Sequence, residues 1–311
     1  MSFGSGWLEE GAGRGRLRPM KHLNQTVTGT REIARLVRGQ PTSDGDGVKL
    51  TRVIGGQALA DLDPFLMLDE FGSESSADYI GGFPSHPHRG FETVTYMLEG
   101  RMRHRDNQGN EGLLVPGSVQ WMTAGRGIIH SEMPEQEEGR MRGFQLWVNL
   151  PSKDKMTAPR YQDIAPERIP LVRAAGGAEV RVIAGDFVDA TGTVTRGPVE
   201  GIATDPLYFD VSLPKGARFE HPLAADHSAF IYVFEGQAKI GDRAGDAVRG
   251  DLAVLAEGDR ISVSAEVAAA RFILVAGRPL HEPVVKYGPF VMNTRAQIVQ
   301  AVDDYSSGRF A

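Results

Sequence analysis

The chain contains no cysteine. Disulfides, thiolate metal ligands and a cysteine nucleophile are excluded with it, and the composition is compatible with a reducing compartment. Positive charge is also short: 34 Lys and Arg stand against 40 Asp and Glu, for a net charge of -6. A broad electrostatic grip on nucleic acid needs a basic face, so none is expected. No apolar run approaches the ~20 residues of a membrane span. The start of the chain lacks the apolar core of a secretory signal and the adjacent arginines of a twin-arginine signal. The expectation is a cytoplasmic protein with no membrane contact. Histidine is scarce too, with eight in 311 residues, yet four of them fall between Phe83 and Glu132.

At this length the chain forms one large domain or two of ordinary size. Residues 1–25 alternate glycine and arginine with little periodicity and read as a disordered tail; Met20 is a candidate start. Glu32–Arg38 and Val48–Ile54 flank a turn-rich cluster holding Pro41, Asp44 and Gly45, which predicts a hairpin. Phe65–Phe71, Phe91–Glu99, Leu113–Val115, Val119–Met122 and Phe144–Leu150 follow as short strands with turn residues between them. That spacing is the signature of an antiparallel sandwich or barrel. From Pro151 apolar alternation fails, and 151–174 reads as a linker. Strands resume at Val180–Ile183. Thr294-x-x-Gln297 is a capping box, and Ile298, Ala301, Val302 and Tyr305 follow at helical spacing. The expected organisation is therefore a barrel over 26–150, a second over 175–285, and a C-terminal segment over 286–311 that carries a helix.

The halves echo each other. Tyr96-Met97-Leu98-Glu99-Gly100 resembles Tyr232-Val233-Phe234-Glu235-Gly236, and Gly117-Ser118-Val119 resembles Gly250-Asp251-Leu252. The offsets, 136 and 133, are nearly equal, as a duplicated barrel requires.

Chemistry concentrates between Phe83 and Glu132. His86 and His88 are two apart, as are His130 and Glu132. On a strand such pairs share a face, about 6.6 Å apart. Two pairs on neighbouring strands would aim three imidazoles and one carboxylate at a common point, a ligand set for a first-row transition metal. In the second half the aligned positions are Pro222, Ala224, Val263 and Ala265, so that copy is expected to bind no metal. His221 and His227 there, and the isolated His22, His104 and His281, read as ordinary polar residues.

His86-Pro87-His88-Arg89-Gly90-Phe91-Glu92-Thr93-Val94 and Ile129-His130-Ser131-Glu132 resemble the pirins, two-barrel members of the cupin superfamily. So do Gln145–Pro151, Lys155-Met156 and Tyr287–Thr294. The general cupin pattern takes its acid shortly after His-x-His, here Glu92. The pirin pattern takes it from His-x-Glu, here Glu132. Gly125 and Pro134 also stand where the general pattern has proline and asparagine. The resemblance implies two facing jelly-roll-like barrels and a metal held by His86, His88, His130 and Glu132. Fe(II) is the expected ion; Mn, Ni, Cu and Zn suit the donors as well. Asp69, Glu92 and Gln145 are candidates to support the ligands from behind. Phe83, Met97, Met122 and Phe144 are candidate walls for a flat substrate.

Some pirins, the resemblance implies, cleave flavonols such as quercetin with O₂ and release carbon monoxide, with Glu132 as the catalytic base for the 3-hydroxyl proton. The rival implication is a redox-responsive binding module that assists transcription factors through protein contacts. A metal-dependent isomerase is a third. A monomer is expected, because two intramolecular barrels already cover each other.

Overall fold

The computed structural model describes residues 28–310; the expected tail over 1–25, and His22 within it, are outside the described residues. The chain forms two antiparallel cupin barrels and one C-terminal helix. The first barrel sets a seven-stranded sheet against a four-stranded one. The larger sheet runs Arg160–Ile164, Val119–Thr123, Phe91–Glu99, Met141–Asn149, Phe65–Ser73, Val48–Ile54 and Gln40–Asp44. The smaller runs Phe83–His88, Ile128–Pro134, Met102–Asp106 and Glu111–Leu114. No helix among the described residues is long and apolar enough to cross a membrane.

Two elements depart from the sequence reading. Ile33–Arg38 is a strand, but it pairs with Asp251–Leu255 of the second barrel. The hairpin partner of Val48–Ile54 is instead Gln40–Asp44. That strand is exposed along its whole length and contains Pro41. It is an edge strand, where proline is tolerated and no apolar alternation is needed, so it reads as a turn. The chain crosses between barrels at Gly39, where a Cβ would lie 2.5 Å from Thr51 Cγ2. The second departure lies in 151–174. Arg160–Ile164 extends the first barrel's sheet beside Val119–Thr123, although its sequence, RYQDI, carries no alternating apolar face.

The two-residue period of the strands decides what faces where. On Phe91–Glu99, Val94 and Tyr96 join a core cluster that spans both barrels. On Met141–Asn149, Phe144, Leu146 and Val148 do the same. Phe230, Tyr232, Phe234 and Ile273 meet them from the second barrel. The even positions thus form the core between the barrels, and the odd positions (Thr93, Thr95, Gln145, Trp147) are left for the interior of the first.

The repeat is also visible in the polar contacts across this core. Tyr96 donates to Asp210 Oδ2 at 2.6 Å, and Arg271 grips the same carboxylate at 2.7 and 3.0 Å. Reciprocally, Tyr232 donates to Glu70 Oε2 at 2.6 Å, and Arg142 grips Glu70 Oε1 at 2.9 and 3.0 Å. Asp210→Ala strands Arg271 and a buried tyrosine hydroxyl. It should cost about 2–3 kcal/mol, below the usual range for a broken buried pair because Arg271 can partly rehydrate. Tyr232→Phe leaves Glu70 paired and should cost about 1 kcal/mol. Urea denaturation measures both, and equal effects would contradict this ranking.

Thr294 caps the C-terminal helix Arg295–Ser306, with both bonds of the capping box present. Ahead of it, the hairpin Val285–Tyr287 and Phe290–Met292 lies against the first barrel. Arg89 and Phe290 form a backbone bridge, and Arg89 pairs with Asp304 at 2.7 Å. Lys155 is buried and donates to Gly90 O, Val291 O and Asn149 Oδ1 at 2.8–3.0 Å. Burial lowers its pKa to about 8, partly opposed by the charge of Glu282. Gly90 has φ +89, and a Cβ there would sit 2.0 Å from Val291 O. The turn after His88 and the C-terminal hairpin can approach this closely only through glycine.

Candidate metal centre

Strands Phe83–His88 and Ile128–Pro134 pair with His86 directly opposite His130 and His88 opposite Ile128. The cross-strand pair and the i/i+2 pair bring three rings to one place. His86 Nε2 lies 3.0 Å from His88 Nε2 and 2.9 Å from His130 Nε2. Among the described residues this is the one group of three metal-ligating side chains with donor atoms mutually within 4.8 Å.

Protonation fits the same picture. His86 Nδ1 donates to Pro84 O at 2.8 Å, which leaves its Nε2 lone pair pointing inward. Burial holds the His88 and His130 imidazoles well below the ordinary histidine range. His86 reinforces the effect at His88; His88, His86 and His104 do so at His130. Both are therefore neutral at pH 7. Lone pairs facing each other at 3 Å repel unless a cation sits between them. Two nitrogens about 2.1 Å from a common ion, at a right angle, are about 3.0 Å apart. The donor set thus fits a divalent transition metal with octahedral preference.

A cavity of about 500 Å³ opens onto the triad, lined by His86, His88, Glu132, Gln145, Trp147 and Phe83 among others. Its volume falls in the usual range for a small-molecule site. Glu132 is on this wall but outside the mutual 4.8 Å group. The register slips between His130 and Glu132, which places Glu132 opposite Phe83. Its Oε1 accepts from Thr95 Oγ1 at 2.9 Å. Thr95 Oγ1 also meets the Gln145 amide at 2.6 Å. A hydroxyl has one proton, so both contacts are satisfied when Gln145 presents its NH₂ to Thr95. Gln145 therefore supports Glu132 through Thr95, and makes no hydrogen bond to a histidine.

The other candidates are placed differently. Asp69 lines the cavity, but Arg52 holds it at 2.7 and 2.9 Å. Glu92 is buried and accepts from Trp121 Nε1 at 3.1 Å and Thr123 Oγ1 at 2.7 Å. Burial raises its carboxyl pKa, opposed by those two bonds. Neither acid reaches an imidazole.

Of the four expected wall residues, Phe83 lines the cavity. Phe144 does not, because its even position turns it into the core between the barrels. Met97 and Met122 are fully buried in satellite clusters. The large aromatic wall is Trp147, 5.3 Å from His88 between ring centroids. Pro289, Gly288 and Lys286 of the C-terminal hairpin close another side.

His104, an ordinary polar residue by its sequence context, is placed beside the triad. It is buried, and its Nδ1 lies 3.3 Å from His130 Nδ1. A usable signal existed: Arg103 and Arg105 flank it, and alternation that sends two arginines outward sends Met102 and His104 inward. In the second barrel His221 is packed among Phe187, Phe209 and Phe219 and accepts from Val188 N–H. His227 is buried, 3.8 Å from Asp205. His281 is exposed.

Proteins of similar sequence and fold agree with one another. Residues 47–148 match the Pirin family and 208–311 match the Pirin C-terminal cupin domain. A pirin-like protein of Caulobacter vibrioides is 55% identical over 280 residues, covering 90% of this chain and 99% of that one. A Pseudomonas aeruginosa protein, provisionally named a quercetin 2,3-dioxygenase, is 54% identical and covers 92% and 100%. The crystal structure of a quercetin 2,3-dioxygenase from Acinetobacter baumannii superposes with a TM-score of 0.81 at 34% identity, covering 91% and 99%. With both barrels matched, and relatives alike over nearly their full length, the chain belongs to the pirin family.

Proposed function

We propose that the chain is an iron-dependent dioxygenase that opens the central ring of flavonols such as quercetin with O₂ and releases carbon monoxide. The observation that carries this reading is the convergence of three Nε2 atoms on a cavity of about 500 Å³ that also holds Glu132. A similar protein of known structure bears the name of that activity. In this reading His86, His88 and His130 would hold Fe(II), with Glu132 as the carboxylate of the site. The bound ion would act as a Lewis acid toward the flavonol 3-hydroxyl oxygen and as the electron-transfer partner of O₂.

The chain's own residues do the rest. Glu132 is the base for the 3-hydroxyl proton, and Thr95 orients its carboxylate. Trp147 and Phe83 give the flat rings an apolar seat and keep water from the reacting face. Anaerobic loading with Fe(II), followed by quercetin and O₂, should give O₂ uptake and carbon monoxide. A fully loaded protein that produced neither would leave the non-enzymatic, partner-binding reading in front.

Metal is proposed for the first barrel alone. Elemental analysis after desalting should find about one equivalent, and His227→Ala should keep it. Two tightly held equivalents would contradict the loss of the second site. The chain is also proposed to act as a monomer, since a large apolar cluster is shared between its own barrels. Light scattering should give a mass near 33.7 kDa.

A further inference from the structure

We propose that His104 is a positioning residue for the metal centre, accepting the Nδ1–H of His130 so that His130 Nε2 is free for the ion. The inference rests on the metal-binding part of the function proposed above and is independent of the flavonol.

His104 sits on Met102–Asp106, the strand that pairs with Ile128–Pro134 on the side away from His86. The register sets His104 opposite Glu132 and Asp106 opposite His130. His104 is thus the diagonal neighbour of His130, within reach of an aromatic side chain. The two Nδ1 atoms are 3.3 Å apart, and the ring centroids are 5.0 Å apart.

A metal-bound histidine gives its second N–H to an acceptor, commonly a carboxylate or a carbonyl. His86 follows that rule with Pro84 O. For His130 the acceptor is another imidazole, and among the described residues its Nδ1 has no other hydrogen-bond partner. A neutral imidazole accepts at one nitrogen only if it carries its proton on the other. His104 must then be protonated at Nε2.

That Nε2 is buried and has no hydrogen-bond partner. A phenyl ring would pack against Tyr161, 4.9 Å away between centroids, without stranding an N–H. Packing therefore does not explain a histidine here, whereas the bond to His130 does. An imidazole acceptor also adds no charge to the site, unlike the usual carboxylate. The three inward nitrogens and Glu132 then set the charge at the ion.

The test uses the full chain, freed of metal, with Ni(II) as probe. Two-dimensional ¹⁵N NMR of the imidazoles should show His130 protonated at Nδ1 and His104 at Nε2. The opposite tautomer at His130 would overturn the proposal whatever the variants do. His104→Phe should weaken Ni(II) binding, measured by competition with a chelator, by about 10–100-fold, the usual effect of losing such a partner. His104→Asn places a carbonyl oxygen near the position of Nδ1 and should recover most of that loss. Binding by His104→Phe within threefold of the unaltered chain would overturn the role, as would an Asn variant as weak as the Phe variant. An unaltered chain that failed to bind Ni(II) would refute the metal centre itself, a result distinct from the other three.

Discussion

His88→Ala should abolish tight Fe(II) binding, and with it all O₂-dependent loss of quercetin. His88 supplies one of three converging nitrogens, 3.0 Å from His86 Nε2, and among the described residues no other imidazole is placed to replace it. His104 and His130 are already committed to each other. The loss should exceed the roughly 10–100-fold that removal of a supporting partner costs. The fold should survive. His88 packs against Phe91 and Trp147, and the void left by truncation costs about 2–3 kcal/mol. A domain of this size holds about 5–15 kcal/mol. Circular dichroism and metal analysis on the same sample separate the two effects. A folded His88→Ala protein that kept one equivalent of iron at unaltered affinity would remove His88 from the ligand set.

Glu132→Gln should lower quercetin turnover about 10²–10⁴-fold, the scale of a lost general base, and should also weaken the metal. The volume barely changes, and Thr95 can still donate to the amide oxygen, so stability should change little. Glu92→Gln is the informative contrast. Glu92 holds Trp121 and Thr123 on the buried face turned toward the core between the barrels, and an amide can accept both bonds only by turning its NH₂ into the same buried space. That variant should lose about 1–3 kcal/mol of stability yet keep turnover per folded molecule. Steady-state kinetics with thermal melts read both. If Glu92→Gln lost iron and turnover while Glu132→Gln kept them, the acid of this site would be the one after His-x-His.

The tertiary structure corrected the sequence reading wherever the outcome depended on which strand a residue meets. Strand alternation on Met141–Asn149 requires Phe144 and Gln145 to face opposite ways, but does not say which of them faces the cavity. Only the docking of the second barrel settles that, by covering Tyr96 and Phe144 together. The exchange of Ile33–Arg38 into the other barrel was invisible for the same reason. A six-residue strand specifies that it must pair, not with whom, and its partner lies more than two hundred residues away. Asp69 and Glu92 were credible supports for the histidines because a buried acid needs a partner. Arg52, and Trp121 with Thr123, turned out to be nearer.

By itself the sequence determined the elements whose cause is local. Two-residue spacing put His86 and His88 on one face, turn residues at short intervals made an antiparallel all-β chain, and the Thr294–Gln297 box started the last helix where it starts. The repeat offset announced a second barrel without the ligands of the first. The tertiary structure decided what depends on register between distant strands. His130 stands opposite His86, Glu132 is displaced toward Thr95 by a slip in pairing, and His104 reaches His130 from a third strand. The physical reason is that backbone and side-chain periodicity act over a few residues, whereas cross-strand register is fixed only when the whole sheet packs one face against a core.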